Sequence, residues 1–268
     1  MKILTAVVNN PIFIEIQFYT LQKYFKGDYE FIVFNDAKEF PDFTNGGDIT
    51  LKSQIKEICR KLNIQCIDIP NLGHRTNHDA GIRAADSMNY MLQYQKAFPD
   101  KYLVLDSDMF LIDDFDIGMY SSYDCAVLLQ TRLENRIHYF WNGIYYFDTT
   151  RMKHLELLNW NCSPHCDVGG MMQQWLGKHK IENGEYSKDI YWMNHLSSGR
   201  WNLPDLPTNL EGNKKLIDFL ESDPRNEKGY FCELYDNVFL HYRCGGNWRQ
   251  EGLDLHKFLS EKLKKTLV

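Results

Sequence analysis

The 268-residue chain lacks long hydrophobic runs: no stretch approaches the ~18 apolar residues of a membrane span. It lacks a basic excess as well. Thirty Lys and Arg stand against 36 Asp and Glu, a net charge of −6, so no positive surface recommends nucleic acid or an anionic membrane as a partner. No N-terminal signal pattern is present, because Met1-Lys2-Ile3-Leu4 passes directly into a β-rich segment. The cysteines number seven, an odd count without a Cys-x2-Cys pair, which speaks against a disulfide framework. Buried thiols in a reducing, cytoplasmic setting are the expectation. Cys162, His165 and Cys166 crowd one loop and leave a zinc site with Cys232 or Cys244 as an alternative. There is no repeat, low-complexity tract or linker, so residues 1–268 are expected to form one body. The turn Asn9-Asn10-Pro11 after the first β-rich segment is neither glycine-rich nor basic, which argues against a sugar-phosphate nucleotidyltransferase.

Against these absences stands Tyr102-Leu103-Val104-Leu105-Asp106-Ser107-Asp108-Met109-Phe110, an apolar run leading straight into two aspartates one residue apart. Such a run reads as a buried central strand, and ligands of an open α/β sheet bind at the carboxyl ends of its strands. Neighbouring carboxylates repel, so keeping both ionised there favours a divalent cation between them, and oxygen ligands suit Mg2+ or Mn2+. A solvated turn or a helix cap is the other reading of the same residues. An EF-hand is excluded, because its fifth and sixth loop positions would fall on Phe110 and Leu111. An aspartyl phosphotransferase would carry the pair on its first strand, and here several strand candidates come earlier.

Around this stretch, β-rich and helical segments alternate. Strands are expected over 2–8, 30–34, 64–69, 125–129 and 143–147, and helices over 12–25, 49–62 and, with Asn77 as N-cap, 77–97. The alternation predicts an α/β domain whose mixed, mainly parallel sheet is covered on both faces. In the third helix Asp79, Arg83 and Asp86 share one side, either as a solvated salt-bridged face or with Arg83 leaning over the crevice. Asp167-Val168-Gly169-Gly170 opens a further helix, with Asp167 as cap or site residue. Residues 183–213 read as a loop rich in aromatics, and Phe239 to Trp248 as a strand running into a glycine turn before an amphipathic helix that reaches about Leu263.

Taken in order, these features resemble a GT-A glycosyltransferase, and most of all the metal-dependent retaining group that includes glycogenin and bacterial lipopolysaccharide galactosyltransferases. Thr5-Ala6-Val7-Val8-Asn9-Asn10-Pro11 is similar to that group's opening strand and turn, which hold the nucleoside. Arg83 matches the basic residue that its preceding helix directs at the donor sugar, and Asp106-Ser107-Asp108 matches the metal motif. Asn142-Gly143-Ile144 resembles its Asn-x-Gly segment with one residue missing, and Asp167-Val168-Gly169 resembles its Asp-Gln-Gly segment without the Gln. His241, followed by Gly245, Gly246 and Trp248, resembles the histidine that completes the metal site, although Asn247 stands where the group has lysine and proline, leaving Arg243 or Arg249 for the phosphates.

The resemblance implies a single Rossmann-like GT-A domain, with residues 1–110 as the nucleotide-binding half and 111–268 as the acceptor-binding half. It implies Mn2+ or Mg2+ on Asp106, Asp108 and His241, and a nucleoside-diphosphate sugar, UDP-linked by expectation, held by Thr5, Ala6, Val8, Asn10, Asp36, Arg83, Ser107, Gly246 and Trp248. Arg83 and Asp167 are the expected catalytic residues. In a retaining enzyme the departing diphosphate takes the acceptor proton; in an inverting one Asp167 is the general base. Asp36 contacts base or ribose, or is a turn carboxylate. Trp160, Trp192 and Trp201 stack on acceptor sugars or belong to the core. A catalytically silent carbohydrate-binding protein of the same fold is the non-enzymatic alternative.

Overall fold

The structure, a computed structural model, describes residues 1–180, 185–246, 248–249 and 252–268. The first half builds as the alternation predicts: β1 (Lys2–Val7), α1 (Pro11–Tyr24), β2 (Glu30–Asn35), α2 (Leu51–Lys61), β3 (Gln65–Asp68), α3 (Ala80–Ala97) and β4 (Lys101–Asp106). There follow β5 (Met109–Leu111), β6 (Cys125–Arg132), β7 (Ile137–Asp148), α4 (Gln173–Lys178), β8 (Ile190–Trp192), β9 (His195–Leu196), α5 (Lys214–Glu221), β10 (Glu233–Tyr235), β11 (Phe239–His241) and α6 (Leu253–Leu267). Among the described residues seven strands form a sheet in the order β8-β6-β7-β4-β1-β2-β3, parallel throughout β4-β1-β2-β3, with β7 antiparallel to both its neighbours. A second sheet of four antiparallel strands runs β9-β10-β11-β5.

The sheet is apolar on both faces because helices cover both. In β4, Leu103 and Leu105 pack with Val33 and Ile14 on one side, while Tyr102 and Val104 pack with Met88 and Met91 of α3 on the other. A third apolar cluster joins Phe13 and Ile16 of α1 to Phe110, Leu240 and the α6 residues Leu259 and Leu263. The chain crosses from β1 to β2 on one side and returns to β4 on the other, so a crevice opens at the carboxyl ends of β1 and β4. Several boundaries differ from expectation. Asp79, not Asn77, caps α3, its side chain accepting from the Ile82 N–H. Gly169 and Gly170 lead only into a 3-10 turn before the short α4, and the region expected as one long loop contains β8 and β9. These strands are too short to show a period of two. Asn183 and Asn247, both named above, lie outside the described residues.

Candidate active site

Asp106 ends β4 in one sheet and Met109 begins β5 in the other, so Asp106-Ser107-Asp108 is the link where the chain changes sheets. The link is pinned from below by a residue the sequence did not single out. Gln17 of α1, fully buried, donates to the carbonyl oxygens of Asp106 at 2.8 Å and Met109 at 3.0 Å. β11 then pairs with β5 so that His241 lies opposite Met109, bringing an imidazole 133 residues away in sequence against Asp108. Its Nε2 is 3.2 Å from Asp108 Oδ1. The metal-capable atoms of Asp106, Asp108 and His241 all lie within 4.8 Å of one another, a grouping unique among the described residues. Cys162 and Cys166 therefore join no such cluster, and all seven cysteines are free thiols.

The electrostatics of the trio are those of a crowded acidic site. Burial and the neighbouring Asp108 push the Asp106 carboxyl up to about 7. Asp108 is buried too, which would raise it, but the His241 charge and hydrogen bonds from His241 and the Gly245 N–H (2.8 Å) hold it below the usual carboxylate range. Burial works against a charged His241, yet Asp108 and Glu233 together raise it to about 10. Glu233 escaped the sequence reading. Its Oε2 accepts from His241 Nδ1 at 3.0 Å and from the Tyr235 hydroxyl at 2.7 Å.

The trio opens into a cavity of about 520 Å³ lined also by Ala6, Val8, Asp36, Lys38, Arg83, Ser107, Trp141, Asn142, Arg243, Gly246 and Arg249. Ala6 pairs with Asp106 across β1 and β4. Asp36 is buried with its oxygens taken, Oδ1 by Lys38 (2.7 Å) and Asn71 (3.0 Å), Oδ2 by Ser87 (2.7 Å). Burial lowers the Lys38 ammonium in spite of Asp36 beside it. Arg83 Nη1 donates to both oxygens of Asp42 at 2.8 and 3.0 Å. Burial opposes the charge on Asp42, but its bonds from Thr44 and Arg83 hold that carboxyl low. Trp141 and Asn142 reach the cavity through an irregularity in β7: Val127 pairs with Tyr145 and Leu129 with Phe140, so the intervening residues arch away from β6. Gly143 makes room for the arch, since a Cβ there would stand 2.1 Å from the Trp141 ring.

Other expected site residues lie elsewhere. Thr5 is fully buried in β1, Trp248 is buried in the core, and neither lines the cavity. Asn10 caps α1 at the Ile12 N–H and donates to Ser260 of α6 at 2.7 Å, so its side chain is spent on joining two helices. Asp167 is exposed and outside the lining, at the rim next to Gly81, which follows the cavity-lining Ala80. Trp160 and Trp201 are core residues, 0% and 1% exposed, so of their two readings the core one holds.

No family model matches the sequence, and no curated protein matches it. Glycosyltransferases are among the solved structures it resembles. One is the galactosyltransferase LgtC in complex with donor and acceptor sugar analogs, 14% identical with a TM-score of 0.45, the match covering 97% of this chain and 95% of that one. An active-site mutant of LgtC is 13% identical with a TM-score of 0.42, covering 75% and 74%. Mouse xyloside xylosyltransferase 1 in its apo form is 9% identical with a TM-score of 0.45, covering 92% and 99%. No helix among the described residues is long and apolar enough to cross a membrane.

Proposed function

We propose that this chain is a metal-dependent glycosyltransferase that moves a sugar from a nucleoside-diphosphate donor, a UDP-sugar, to a hydroxyl of a glycan or similar acceptor, with retention. The observation that carries this reading is the meeting of Asp106, Asp108 and His241 in the wall of a cavity at the carboxyl ends of the paired parallel strands β1 and β4. Two carboxylates and an imidazole are a donor set for Mn2+ or Mg2+, and an imidazole whose second nitrogen meets a carboxylate is the arrangement metal sites use. A cation bound there supplies Lewis-acid stabilisation of the departing diphosphate. The chain's own cations reinforce it: Arg243 and Arg249 stand on the cavity wall, available to phosphate oxygens. Ala6, Val8 and the fixed Asp36–Lys38 pair form the wall for base and ribose, and Trp141 with Asn142 the wall for the transferred sugar.

Retention is supported by what lines the cavity. An inverting enzyme needs a carboxylate within hydrogen-bond reach of the acceptor hydroxyl. Among the described residues the lining carboxylates are Asp36, whose oxygens are occupied, and the metal pair. Asp167, on the rim, then orients the acceptor. The test is incubation with a panel of UDP-sugars and simple sugar acceptors, with Mn2+ or with chelator, followed by mass spectrometry of the nucleotide and NMR of the product anomer. Metal-dependent release of UDP with a retained anomer is expected. Binding of the UDP-sugars without turnover under every condition would instead favour the silent carbohydrate-binding protein.

A further inference from the structure

We propose that Glu233 is the positioning residue of this cation site, fixing the His241 imidazole in the tautomer and rotation that present Nε2 to the cation. The inference rests on the metal site proposed above. β10 and β11 pair with Glu233 directly opposite His241, so both side chains leave the small sheet on one face. Oε2 accepts from Nδ1 at 3.0 Å; with Nδ1 carrying its hydrogen there, Nε2 is the nitrogen turned towards Asp108. Glu233 is itself held on all sides: by the Tyr235 hydroxyl at 2.7 Å, by the Ser198 N–H at 3.3 Å and by Arg243 Nε at 3.7 Å from Oε1. The Trp141 ring, stacked on Tyr235 at 4.8 Å, sets its edge against the imidazole at 5.2 Å and closes the remaining direction of rotation. Pairing with a charged imidazole is the one structural use of this carboxylate in the metal-free site. The backbone ladder already joins β10 to β11, and a third acid beside Asp106 and Asp108 adds repulsion that a neutral glutamine would avoid. The acid gains its purpose from the ligand it orients, as outer partners of metal-bound histidines do.

The experiment measures Mn2+ binding by electron paramagnetic resonance in the full chain, in Glu233→Ala and in Glu233→Gln. Glu233→Ala is expected to bind Mn2+ about 10- to 100-fold more weakly. Glu233→Gln, whose amide oxygen can still accept from Nδ1, is expected to recover most of that loss. The wild-type protein saturated with Mg2+ is also examined by long-range 15N NMR, which needs no variant to fold; His241 should show a protonated Nδ1. Unchanged affinity in a folded Glu233→Ala, or an unprotonated Nδ1 in the wild type, would overturn the positioning role while leaving the cation site standing. Failure of the wild type to bind either metal would overturn both together.

Discussion

Asp106 and Asp108 are two residues apart and chemically identical, yet their surroundings separate them. The raised Asp106 carboxyl, at about 7, binds a proton in the folded state over a window where the unfolded chain has lost it. Without metal, its contribution therefore makes the protein less stable as pH rises from about 4 to about 7. Asp106→Asn should remove that slope in a chelator-treated thermal-melt series and should also abolish stabilisation by Mn2+. His241, raised to about 10, acts in the same direction at higher pH: its stabilising charge is fully present below about 6.5 and lost as pH climbs through 10. Melting temperatures of the metal-free protein should fall across that range, and added Mn2+ should offset the fall. Asp108→Ala removes a proposed ligand outright and should weaken Mn2+ binding by more than about a hundredfold, the upper end of what an outer partner contributes. Far-ultraviolet circular dichroism should stay unchanged, and full metal-dependent turnover by this variant would refute the metal assignment.

At the scale of elements, the site depends on how closely three segments approach. Gly245 lies where a Cβ would stand 2.5 Å from the Phe13 ring and 2.8 Å from Asp108 Cβ, while its N–H bonds Asp108. Gly245→Ala should therefore cost about 1–3 kcal/mol in denaturant unfolding and weaken metal binding with it. An effect on neither would mean that the turn after β11 is looser than its packing indicates. The α1 cap makes a contrasting case. Asn10→Ala loses the bond to the Ile12 N–H and the bond to Ser260, and about 1–2 kcal/mol of stability is expected to go with them, with the donor Kd little changed. A large loss of donor affinity at constant stability would restore Asn10 to the nucleoside contact that the sequence suggested.

For the whole molecule, each sheet draws strands from both halves. β5 of the small sheet follows β4 of the large one by two residues, and β4 is flanked by β1 and by β7. Division at residue 110 would cut through β5 itself. We therefore expect a single calorimetric transition for the full chain and no folded product from either half alone; two resolved transitions would speak for separable domains. UDP with Mn2+, at a hundredfold excess over its Kd, should stabilise that single unit by about 2.7 kcal/mol.

The order of elements in the first half, the buried strand Lys101–Asp106 and the acidic pair at its end were legible from sequence alone, because period, composition and chain order are local properties. The α/β class followed from the same signals, and the imidazole at His241 followed from a resemblance of motifs. What only the tertiary structure decided was which side chains meet. Gln17, Lys38, Asp42, Trp141 and Glu233 carry no motif, and a residue on a three-residue strand such as β10 has too few neighbours to reveal its face. Trp160 and Trp201 left platform and core both open in the sequence, and packing decided for the core, since the burial of an aromatic depends on what folds over it. The proposed cation site is assembled by sheet register, and register is a relation between distant segments that no single stretch of chain contains.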